Sequence, residues 1–463
     1  MSGHEHNCTT LTLGSLVEWC GGESQIGARQ RKMPAGSVCN DSRNIEPGDI
    51  FVAIKTEQND GHNYVEAAFK AGAVAAIVDR KASLSLSASN RRRLITVSNP
   101  VKSVQKAAAR YRKEMGILFT GITGSSGKTT TRTFISSVLR QGVKVGETHS
   151  NWNNHIGVPM SILKFSGDEW AGVIEMGANH MGEIHDLSLI VKPDIAVITN
   201  IGYAHVGLFG SIENTTKAKF EIADGLGRKG FMLLNGDDPR LVKEAKKRGI
   251  PSVFYGFSSC CSVRPESIAI SPGGLSFELD GSCFTLRMPG RHFIYSALPA
   301  IYLGRRCGIP EKMIVRALET LKPVSMRGGI VKKKGISFIV DCYNANPSSM
   351  KSGLAYLSDI SNPKSRAVVV GDMLELGVYS KRLHRELGKQ IARAEVKKLL
   401  AVGEFSAVVA EAAVKAGMPK SKIFTAEKAE DAVGIARKLL DTGDTVLLKG
   451  SRGVHLETIF EKF

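Results

Sequence analysis

Glycine, lysine and hydroxyl side chains are concentrated in the segment TGITGSSGKTT at residues 120–130. The apolar run at 117–120 predicts a strand before it, and a helix is expected to begin at the Lys-Thr pair. A glycine-rich turn lets backbone N–H groups close on phosphate oxygens, and the helix N-terminus adds a positive dipole. Lys128 would then reach the terminal phosphates, and the Thr129 hydroxyl would bind Mg²⁺.

This spacing predicts a P-loop that binds ATP. Ile122 stands where the strict motif has its first glycine, so a glycine turn without a ligand is the alternative. The strand, the turn, the Lys-Thr pair and the helix together favour the P-loop. The loop residues assigned to ATP are Gly124, Ser125, Ser126, Gly127, Lys128, Thr129 and Thr130.

Two further strand-like runs end in polar residues. Glu175 follows the apolar run at 172–174, and an acid at the tip of a strand beside a P-loop is expected to hold the metal. Away from a P-loop, such a glutamate is more often a helix cap or a surface charge. Asn200 and His205 follow the run at 195–198, at the strand end where open sheets bind ligands. Spacing alone supports a functional role and a packing role for His205 equally.

Asparagines are concentrated in two other segments. Asn151, Asn153 and Asn154 lie together, and the run from Asp341 to Pro347 contains two more. Each group could simply bond its own loop backbone. The second run follows a strand with an acid and amides, which favours a ligand site.

Composition limits the class of protein. The 463 residues exceed what one hydrophobic core holds, so two or three domains are expected. Hydrophobic residues make up 43% and the mean hydropathy is -0.06, as in soluble globular proteins. No apolar run approaches the ~18 residues of a membrane helix, and the start MSGHEHNCTT lacks the features of a secretory signal. Eight cysteines without a C-x-x-C motif fit a reducing compartment. We therefore expect a cytoplasmic protein that does not insert into membranes.

The net charge of +18 suits a polyanionic partner. Its densest runs, at 91–93, 246–248 and 332–334, are not interleaved with the aromatic residues that stack on bases. We interpret these runs as solvated faces rather than nucleic-acid grooves, and the charge does not decide among nucleic acid, an acidic membrane and phosphorylated small molecules as the partner.

Strand and helix patterns alternate along the chain and predict an α/β fold with three domains. Residues 1–115 form a smaller α/β N-terminal domain. Residues 116–321 form a central domain with a P-loop ATPase-like parallel sheet and an excursion of β-hairpins at 262–287. Residues 322–463 form a C-terminal Rossmann-like domain with a doubly wound pattern.

These motifs, in this order, resemble the Mur ligase family, the ATP-dependent amide-forming enzymes of peptidoglycan precursor synthesis. The resemblance covers essentially the whole chain. The residues that carry it are 41–43, 47–53 and 60–62 in the first domain, 123–130, 151–159, 175–178, 182–184, 199–201 and 218–222 in the second, and 343–350, 371–377, His384 and 449–452 in the third.

Within the family, the motifs are most similar to the branch that joins D-alanyl-D-alanine to a UDP-N-acetylmuramoyl-tripeptide through an acyl phosphate. The resemblance implies two Mg²⁺ ions and a role in cell wall synthesis, and with it in cell shape and division. A first domain for the uridine nucleotide, a third domain for the incoming dipeptide and a monomeric state are also implied.

The resemblance also implies roles for individual residues. Lys128 and Thr129 would contact the phosphates and the first Mg²⁺, Glu175 would be a metal ligand, His205 would bind the second metal, and Lys219 would carry a carbamate derived from CO₂. Without that resemblance, a surface ion pair of Lys219 with Glu213 or Glu221 is favoured. The residues implied for the substrate are Ser42, Arg43, Asp60, Gly61, His62, Asn151 and Asn154, and those through which the third domain closes on ATP are Arg327, Asp341 and Asn344.

One departure concerns the adenine end, where family members carry two asparagines and this chain has Phe293 and Ser296. Three other functions remain open. The first is the preceding ligase of the pathway, which adds a single amino acid, and the second is a folate polyglutamylating ligase. The third is a P-loop switch or nucleic-acid-stimulated ATPase, which only the positive charge supports.

Overall fold

A computed structural model describes residues 9–271 and 273–463. The first domain contains a sheet with the strand order β1-β5-β4-β3-β2, in which only the β1–β5 pair is antiparallel. The long helix α5 begins where Pro100 follows the Asn99 cap, and it ends at Gly116. The elements of this domain are α1 (Leu13–Cys20), β1 (Glu23–Ser24), α2 (Ala28–Arg31), β2 (Val38–Cys39), β3 (Ile50–Val52), α3 (Val65–Ala71), β4 (Ala75–Asp79), α4 (Ala88–Arg91), β5 (Leu94–Val97) and α5 (Pro100–Met115).

The central domain is built on a wholly parallel sheet with the order β11-β10-β9-β6-β8-β7. The inner strand β9 is apolar and buried along its whole length, as expected when helices cover both faces. The elements are β6 (Leu118–Thr123), α6 (Lys128–Leu139), β7 (Val145–Glu147), α7 (Gly157–Leu163), β8 (Ala171–Glu175), α8 (Glu183–Val191), β9 (Ile195–Ile198), α9 (Val206–Phe209), α10 (Ile212–Phe220), β10 (Phe231–Asn235), α11 (Pro239–Arg248) and β11 (Ser252–Tyr255).

A small antiparallel sheet and two helices complete the central domain. The strands pair in the order β12-β13-β14, and helix α12 packs closely against α6 behind the P-loop. The elements are β12 (Glu266–Ser271), β13 (Gly274–Leu279), β14 (Ser282–Leu286), α12 (Ile294–Arg306) and α13 (Glu311–Thr320).

The third domain has a sheet with the order β15-β16-β20-β17-β18-β19, in which only the β15–β16 pair is antiparallel. Helix α14 begins with Pro347 directly after the Asn346 cap. The elements are β15 (Gly329–Lys333), β16 (Ile336–Asp341), α14 (Pro347–Ile360), β17 (Arg366–Gly371), α15 (Ser380–Arg393), β18 (Lys398–Val402), α16 (Ser406–Lys415), β19 (Ile423–Ala426), α17 (Ala429–Leu439), β20 (Thr445–Lys449) and α18 (Glu457–Lys462).

Two apolar cores continue across the domain boundaries. One joins Ala107 and Tyr111 of α5 to Phe119 and Ile162 of the central domain. The other includes Val206 of α9 together with residues of the third domain. Because apolar packing continues from one domain to the next, the domains share buried surface that fixes their relative placement here.

The predicted α/β fold with its central parallel sheet is confirmed. The strands expected near residues 50, 75, 117, 172, 195, 230, 336, 367, 398 and 445 are all present within a few residues of their predicted bounds. The strands β1, β2, β5, β7, β11, β15 and β19 were not predicted, because most of them have four residues or fewer and such short segments give little periodicity. Within the described ranges, no helix is long and apolar enough to span a bilayer.

Candidate active site

The glycine-rich turn after β6 adopts a backbone that only glycine tolerates at its centre. Gly124 has φ 143°, and a Cβ on it would lie 2.0 Å from the Thr199 Oγ1. Gly127 has φ 79° and immediately precedes α6. The Thr199 hydroxyl donates to the Ser126 carbonyl at 2.6 Å. The turn is therefore held against the end of β9, which lies next to β6 in the sheet.

Asn200 shapes the same turn. Its carbonyl accepts a hydrogen bond from the Ser125 N–H at 3.0 Å, and its Oδ1 accepts one from the Ser126 N–H at 3.0 Å. Asn200 was predicted to bind ATP, and the structure shows it supporting the loop that would do so.

Lys128 opens α6 and bends back over the turn, where its Nζ donates to the Gly124 carbonyl at 2.9 Å. Burial lowers the pKa of Lys128, the Glu175 carboxylate opposes that shift, and the positive charge of Arg327 reinforces it. The ammonium is thus surrounded by few counter-charges. An anionic ligand beside it would supply the missing one.

Glu175 ends β8, the neighbour of β6, and its side chain is only 3% exposed. Its Oε1 accepts a hydrogen bond from the Asn153 Nδ2 at 2.8 Å. Its Oε2 lies 3.7 Å from an Arg132 nitrogen and makes no hydrogen bond although it is buried. A buried carboxylate oxygen without a hydrogen bond is the group that a cation would satisfy. Asn153, which orients this carboxylate, was not among the predicted site residues.

Lys219 lies on α10 and is 1% exposed. Its Nζ lies 5.2 Å from the centroid of the Phe209 ring. Across residues 9–271 and 273–463, no carboxylate lies within ion-pairing distance of it. The Glu221 carboxylate instead accepts hydrogen bonds from the Gly182 and His185 N–H groups. The alternative of a surface ion pair is therefore wrong, because tertiary packing buries this side of α10.

The environment of Lys219 favours the neutral amine. Burial lowers the pKa of Lys219 to about 7, and the nearby Lys128 ammonium lowers it further, while Glu221 and Glu183 oppose the shift. A lysine amine that is neutral near pH 7 is a nucleophile, whereas an ammonium is not.

His205 lies where the central and third domains meet. It has φ 57°, and its Nδ1 contacts the carboxylate of Glu375 from the third domain. The contact with the His205 ring holds the pKa of Glu375 below its usual value. The Glu375 carbonyl accepts a hydrogen bond from the Gly207 N–H at 3.0 Å.

The third domain brings further polar groups to the P-loop. Asp341, at the end of β16, accepts a hydrogen bond from the Lys449 Nζ at 2.6 Å. The Arg327 guanidinium lies 4.3 Å from the centroid of the Tyr343 ring. The Asn344 Oδ1 accepts a hydrogen bond from the next backbone N–H.

A cavity of about 1040 Å³ lies between the central and third domains and collects most of the predicted residues. The predicted residues that line it are Ser125, Ser126, Gly127, Lys128, Thr129, Thr130, Asn151, Asn154, Glu175, Asn200, His205, Arg327, Asp341 and Asn344. Gly124 and Lys219 do not line it: Gly124 packs against Thr199, and the Lys128 charge lowers the pKa of the buried Lys219. Residues from several separate parts of the chain thus surround one cavity.

The two predicted asparagines of the 151–154 segment differ in their surroundings. Asn154 Oδ1 accepts hydrogen bonds from the Ile156 and Gly157 N–H groups at 3.1 and 2.8 Å, and so begins α7. Asn151 is exposed on the cavity wall. A ligand would therefore find the Asn151 amide available and the Asn154 Oδ1 already engaged.

The departure at residues 293 and 296 is accommodated by packing. Phe293 is 2% exposed and stacks on Phe134 of α6 with ring centroids 6.4 Å apart. The Ser296 hydroxyl hydrogen-bonds to that of Thr131 at 3.0 Å. Both positions connect α12 to α6 and also line the cavity, so this wall presents an aromatic edge in place of amides.

The predicted substrate residues of the first domain do not line the cavity. Arg43 forms two hydrogen bonds with the Asp41 carboxylate, at 2.9 and 2.7 Å, and is exposed. These bonds lower the pKa of Asp41 to about 2. Ser42 lies between the two residues, in the short helical turn that Asp41 caps.

Asp60, Gly61 and His62 build a second capped turn. The His62 Nε2 accepts a hydrogen bond from the Asp79 N–H at 3.0 Å, so its Nδ1 carries the proton and donates to Asp60 at 2.6 Å. A Cβ on Gly61 would lie 2.6 Å from the Ile54 nitrogen. These three residues hold the turn, and their contact with a uridine nucleotide stays a prediction.

Comparison with known protein families finds three successive matches along the chain. Residues 36–120 match the Mur ligase family catalytic domain, residues 122–304 match the Mur ligase middle domain, and residues 326–452 match the Mur ligase glutamate ligase domain.

Relatives match along most of the chain. The UDP-N-acetylmuramoyl-tripeptide–D-alanyl-D-alanine ligase of Bacillus subtilis is 34% identical over 91% of this chain and 92% of its own, and that of Escherichia coli is 31% identical over 97% of both. The crystal structure of MurF from Acinetobacter baumannii superposes with a TM-score of 0.86 at 27% identity, over 98% of both chains. MurF ligase from Thermotoga maritima in complex with ADP gives 0.79 at 29% identity, over 93% of this chain and 97% of that one. With three domain matches in the family's order and relatives this similar over nearly its full length, the chain belongs to the Mur ligase family.

Proposed function

We propose that this protein is the ATP-dependent ligase that joins D-alanyl-D-alanine to a UDP-N-acetylmuramoyl-tripeptide in peptidoglycan precursor synthesis. The observation that carries the proposal is the shared cavity, where the P-loop, a buried acid and the polar strand ends of the third domain meet. The relatives that match over more than nine-tenths of this chain bear that enzyme's name.

The reaction must overcome the low reactivity of a carboxylate, which is anionic and has no leaving group. Transfer of the γ-phosphoryl group of ATP to the terminal carboxylate of the tripeptide forms an acyl phosphate and ADP. The amino group of D-alanyl-D-alanine then attacks the acyl carbon. The tetrahedral intermediate collapses with loss of phosphate, and the amide remains.

Lys128 and the turn at residues 124–130 hold the triphosphate in this scheme. The N–H groups at the start of α6, which are not bonded to Asn200, would donate to the phosphate oxygens, and the Lys128 ammonium would neutralise charge as the γ-phosphoryl group departs. Its lowered pKa and its sparse counter-charges suit an anionic partner. Asn200 and Thr199 keep the turn in the required shape.

Thr129 and Glu175 fit a magnesium ion at the phosphates. The Glu175 Oε2 is buried without a hydrogen bond, and the Thr129 hydroxyl lines the same cavity. The described residues hold no group of three His, Cys, Asp or Glu side chains that could bind a metal by itself. This agrees with the preference of Mg²⁺ for one or two protein ligands together with substrate phosphates and water. The ion would supply charge neutralisation at the transferred phosphoryl group.

Lys219 fits the carbamate that the family resemblance implies. A buried amine with a pKa of about 7 can react with CO₂, which replaces a positive charge by a negative one and adds carboxylate-like oxygens. Such a group next to Lys128 would also remove the repulsion between two buried ammonium ions. His205 would complete a second cation site with it.

The third domain delivers the amine and completes the ATP site through Arg327, Asp341 and Asn344, which face the P-loop across the cavity. The first domain holds the UDP end of the tripeptide substrate through the segments around Arg43 and His62. We expect a monomer that acts in the cytoplasm, as the family resemblance implies.

Release of phosphate in the presence of each amine tests the proposal. Purified protein with ATP, Mg²⁺ and UDP-N-acetylmuramoyl-tripeptide should release phosphate only when D-alanyl-D-alanine is added, and the product should gain the mass of the dipeptide less water. Release with a single amino acid and a dipeptide substrate would instead indicate the preceding ligase. Release with folate and glutamate, or stimulation by nucleic acid, would indicate the other two alternatives.

A further inference from the structure

Asn346 of the third domain touches the phosphate loop directly. Its Nδ2 donates to the Ser126 Oγ at 2.9 Å and lies 3.5 Å from the Ser125 carbonyl, while its Oδ1 lies 3.2 Å from the same hydroxyl. The residue is only 4% exposed. These bonds join positions 220 residues apart in the chain. Asn346 was not among the predicted site residues.

The orientation of this amide is set on the third-domain side. The Asn346 Oδ1 accepts the Ser349 N–H at 3.0 Å and caps α14, and the Ser349 hydroxyl accepts the Asn346 N–H at 3.0 Å. This capping box fixes the plane of the amide. Because one edge of the group is bound to the helix, its NH₂ group is turned toward the P-loop without further ordering.

The position of Ser126 is set on the central-domain side. Its N–H donates to the Asn200 Oδ1, and its carbonyl accepts from the Thr199 hydroxyl. Ser126 reaches Asn346 from the loop conformation that these two bonds maintain. The contact therefore needs both the ordered loop and the docked third domain.

Other contacts between the two domains lie elsewhere. His205 meets Glu375, and the Tyr379 hydroxyl donates to the Gly210 carbonyl at 3.1 Å, both around α9 rather than at the loop. In the part of the chain that the structure describes, every hydrogen bond between the third domain and residues 124–130 comes from Asn346.

We propose that Asn346 is a positioning residue that couples docking of the third domain to the phosphate-holding conformation of the P-loop. The inference rests on the proposed function and adds a route by which ATP binding and domain closure favour each other. Such coupling is reciprocal: if the ordered loop favours docking of the third domain by some free energy, docking increases the affinity for ATP by the same free energy. The Ser126 hydroxyl is the receiving group on the loop.

Asn346→Ser separates this role from helix capping. Serine caps helices about as well as asparagine, but its shorter side chain cannot reach Ser126. Ser126→Ala removes the contact from the other side. We expect either change to weaken binding of a non-hydrolysable ATP analogue, measured by calorimetry with Mg²⁺, by roughly five- to ten-fold. The double variant should lose no more than the weaker-binding single variant, because both changes remove one contact.

Asn362→Ser is the matched control. Asn362 caps a short helical turn of the same domain through the Lys364 N–H at 3.0 Å and does not line the cavity. It should bind the analogue as wild type does. The thermal midpoint of Asn346→Ser should also stay near that of wild type, since its cap is retained.

Solution scattering supplies a second readout. The concentration of ATP analogue at which half of the compaction has occurred should rise in Asn346→Ser. It should rise by the same factor as the dissociation constant of the analogue. The proposal would be overturned if the fold-losses in analogue affinity of the two single variants multiplied in the double variant. It would also be overturned if Asn346→Ser bound the ATP analogue with wild-type affinity. Both measurements follow binding without turnover, so their outcome is independent of the ligation assay. A failure of the coupling proposal can therefore be distinguished from a failure of the proposed function.

Discussion

The phosphate end of the cavity and the region of the first domain between Asp41 and His62 both carry charged side chains, but they differ in how these are paired. At the cavity, the Glu175 Oε2 lacks a hydrogen bond and Lys219 is buried without a carboxylate partner. In the first domain, Arg43 is paired with Asp41, and both ring nitrogens of His62 are bonded.

The difference shows what a buried polar group indicates. A buried ionisable group without a partner costs folding free energy, so it persists where a ligand supplies the partner. A turn whose side chains bond one another is already stable and needs no ligand. The cavity therefore keeps polar groups that a ligand could still satisfy, whereas the side chains of the first-domain cluster already satisfy one another.

The largest expected effect is that of Lys128→Ala. Removing the cation that faces the departing phosphoryl group should lower kcat for ligation by roughly 10²–10³-fold. The fold should persist, because this lysine contributes little to core packing, so the thermal midpoint should change little. Lys243→Ala, on the exposed face of α11, is the control. Ligation within a few-fold of wild type would contradict the P-loop assignment.

A second test concerns Lys219. Lys219→Ala should lose most activity, on the order of 10²-fold for several kcal/mol of lost charge stabilisation. Added acetate should restore part of it, since a small carboxylate can occupy the place of the carbamate. Lys217→Ala, at an exposed position of the same helix, should leave activity unchanged. If Lys219→Arg works as well as wild type, a positive charge suffices and the carbamate hypothesis is wrong.

Arg43→Ala probes the other side of the comparison. Since its guanidinium is exposed, its loss should leave the thermal midpoint unchanged. If this region holds the uridine nucleotide, the KM for the UDP-linked substrate should rise roughly ten-fold while the KM for ATP stays constant. Arg80→Ala, which breaks an exposed ion pair with Glu23 in the same domain, is the control. An unchanged KM for the UDP-linked substrate would leave Arg43 with only a structural role in its turn.

The smallest effect concerns His384, which resembles His62 in having both ring nitrogens bonded. Its Nε2 accepts the Met373 N–H at 3.0 Å and its Nδ1 donates to the Ser380 carbonyl at 2.8 Å. Burial lowers the pKa of His384 below its usual 6.5. The unfolded chain is therefore protonated before the folded one as the pH falls, and the stability that neutral His384 provides above pH 6.5 is lost below it.

Thermal unfolding at pH 7.5 and pH 5.5 measures this contribution. The thermal midpoint of the wild type should be lower at pH 5.5 than at pH 7.5. The midpoint of His384→Gln should already be lower than that of the wild type at pH 7.5, and it should decrease by less at pH 5.5. An equal fall in both proteins would show that other groups cause the acid sensitivity.

The amino-acid sequence alone predicts the P-loop, the strand ends on either side of it and the α/β class. Those features are local, because a strand, a glycine turn and a Lys-Thr pair within eleven residues leave one favourable arrangement of the backbone. The strand that ends at Glu175 could likewise be placed from its apolar run, because parallel strands align their carboxyl ends at one sheet edge.

Which members of each polar cluster face the cavity depends on tertiary packing. Asn153 rather than Asn154 orients Glu175, and Asn346 rather than Asn344 meets the P-loop. Lys219 is buried although its helix also carries exposed charges. The amides of a cluster are chemically alike, and their roles depend on partners that lie up to 220 residues away in the chain. Local spacing sets the direction of a strand or turn, but burial and pairing depend on which distant elements pack against it.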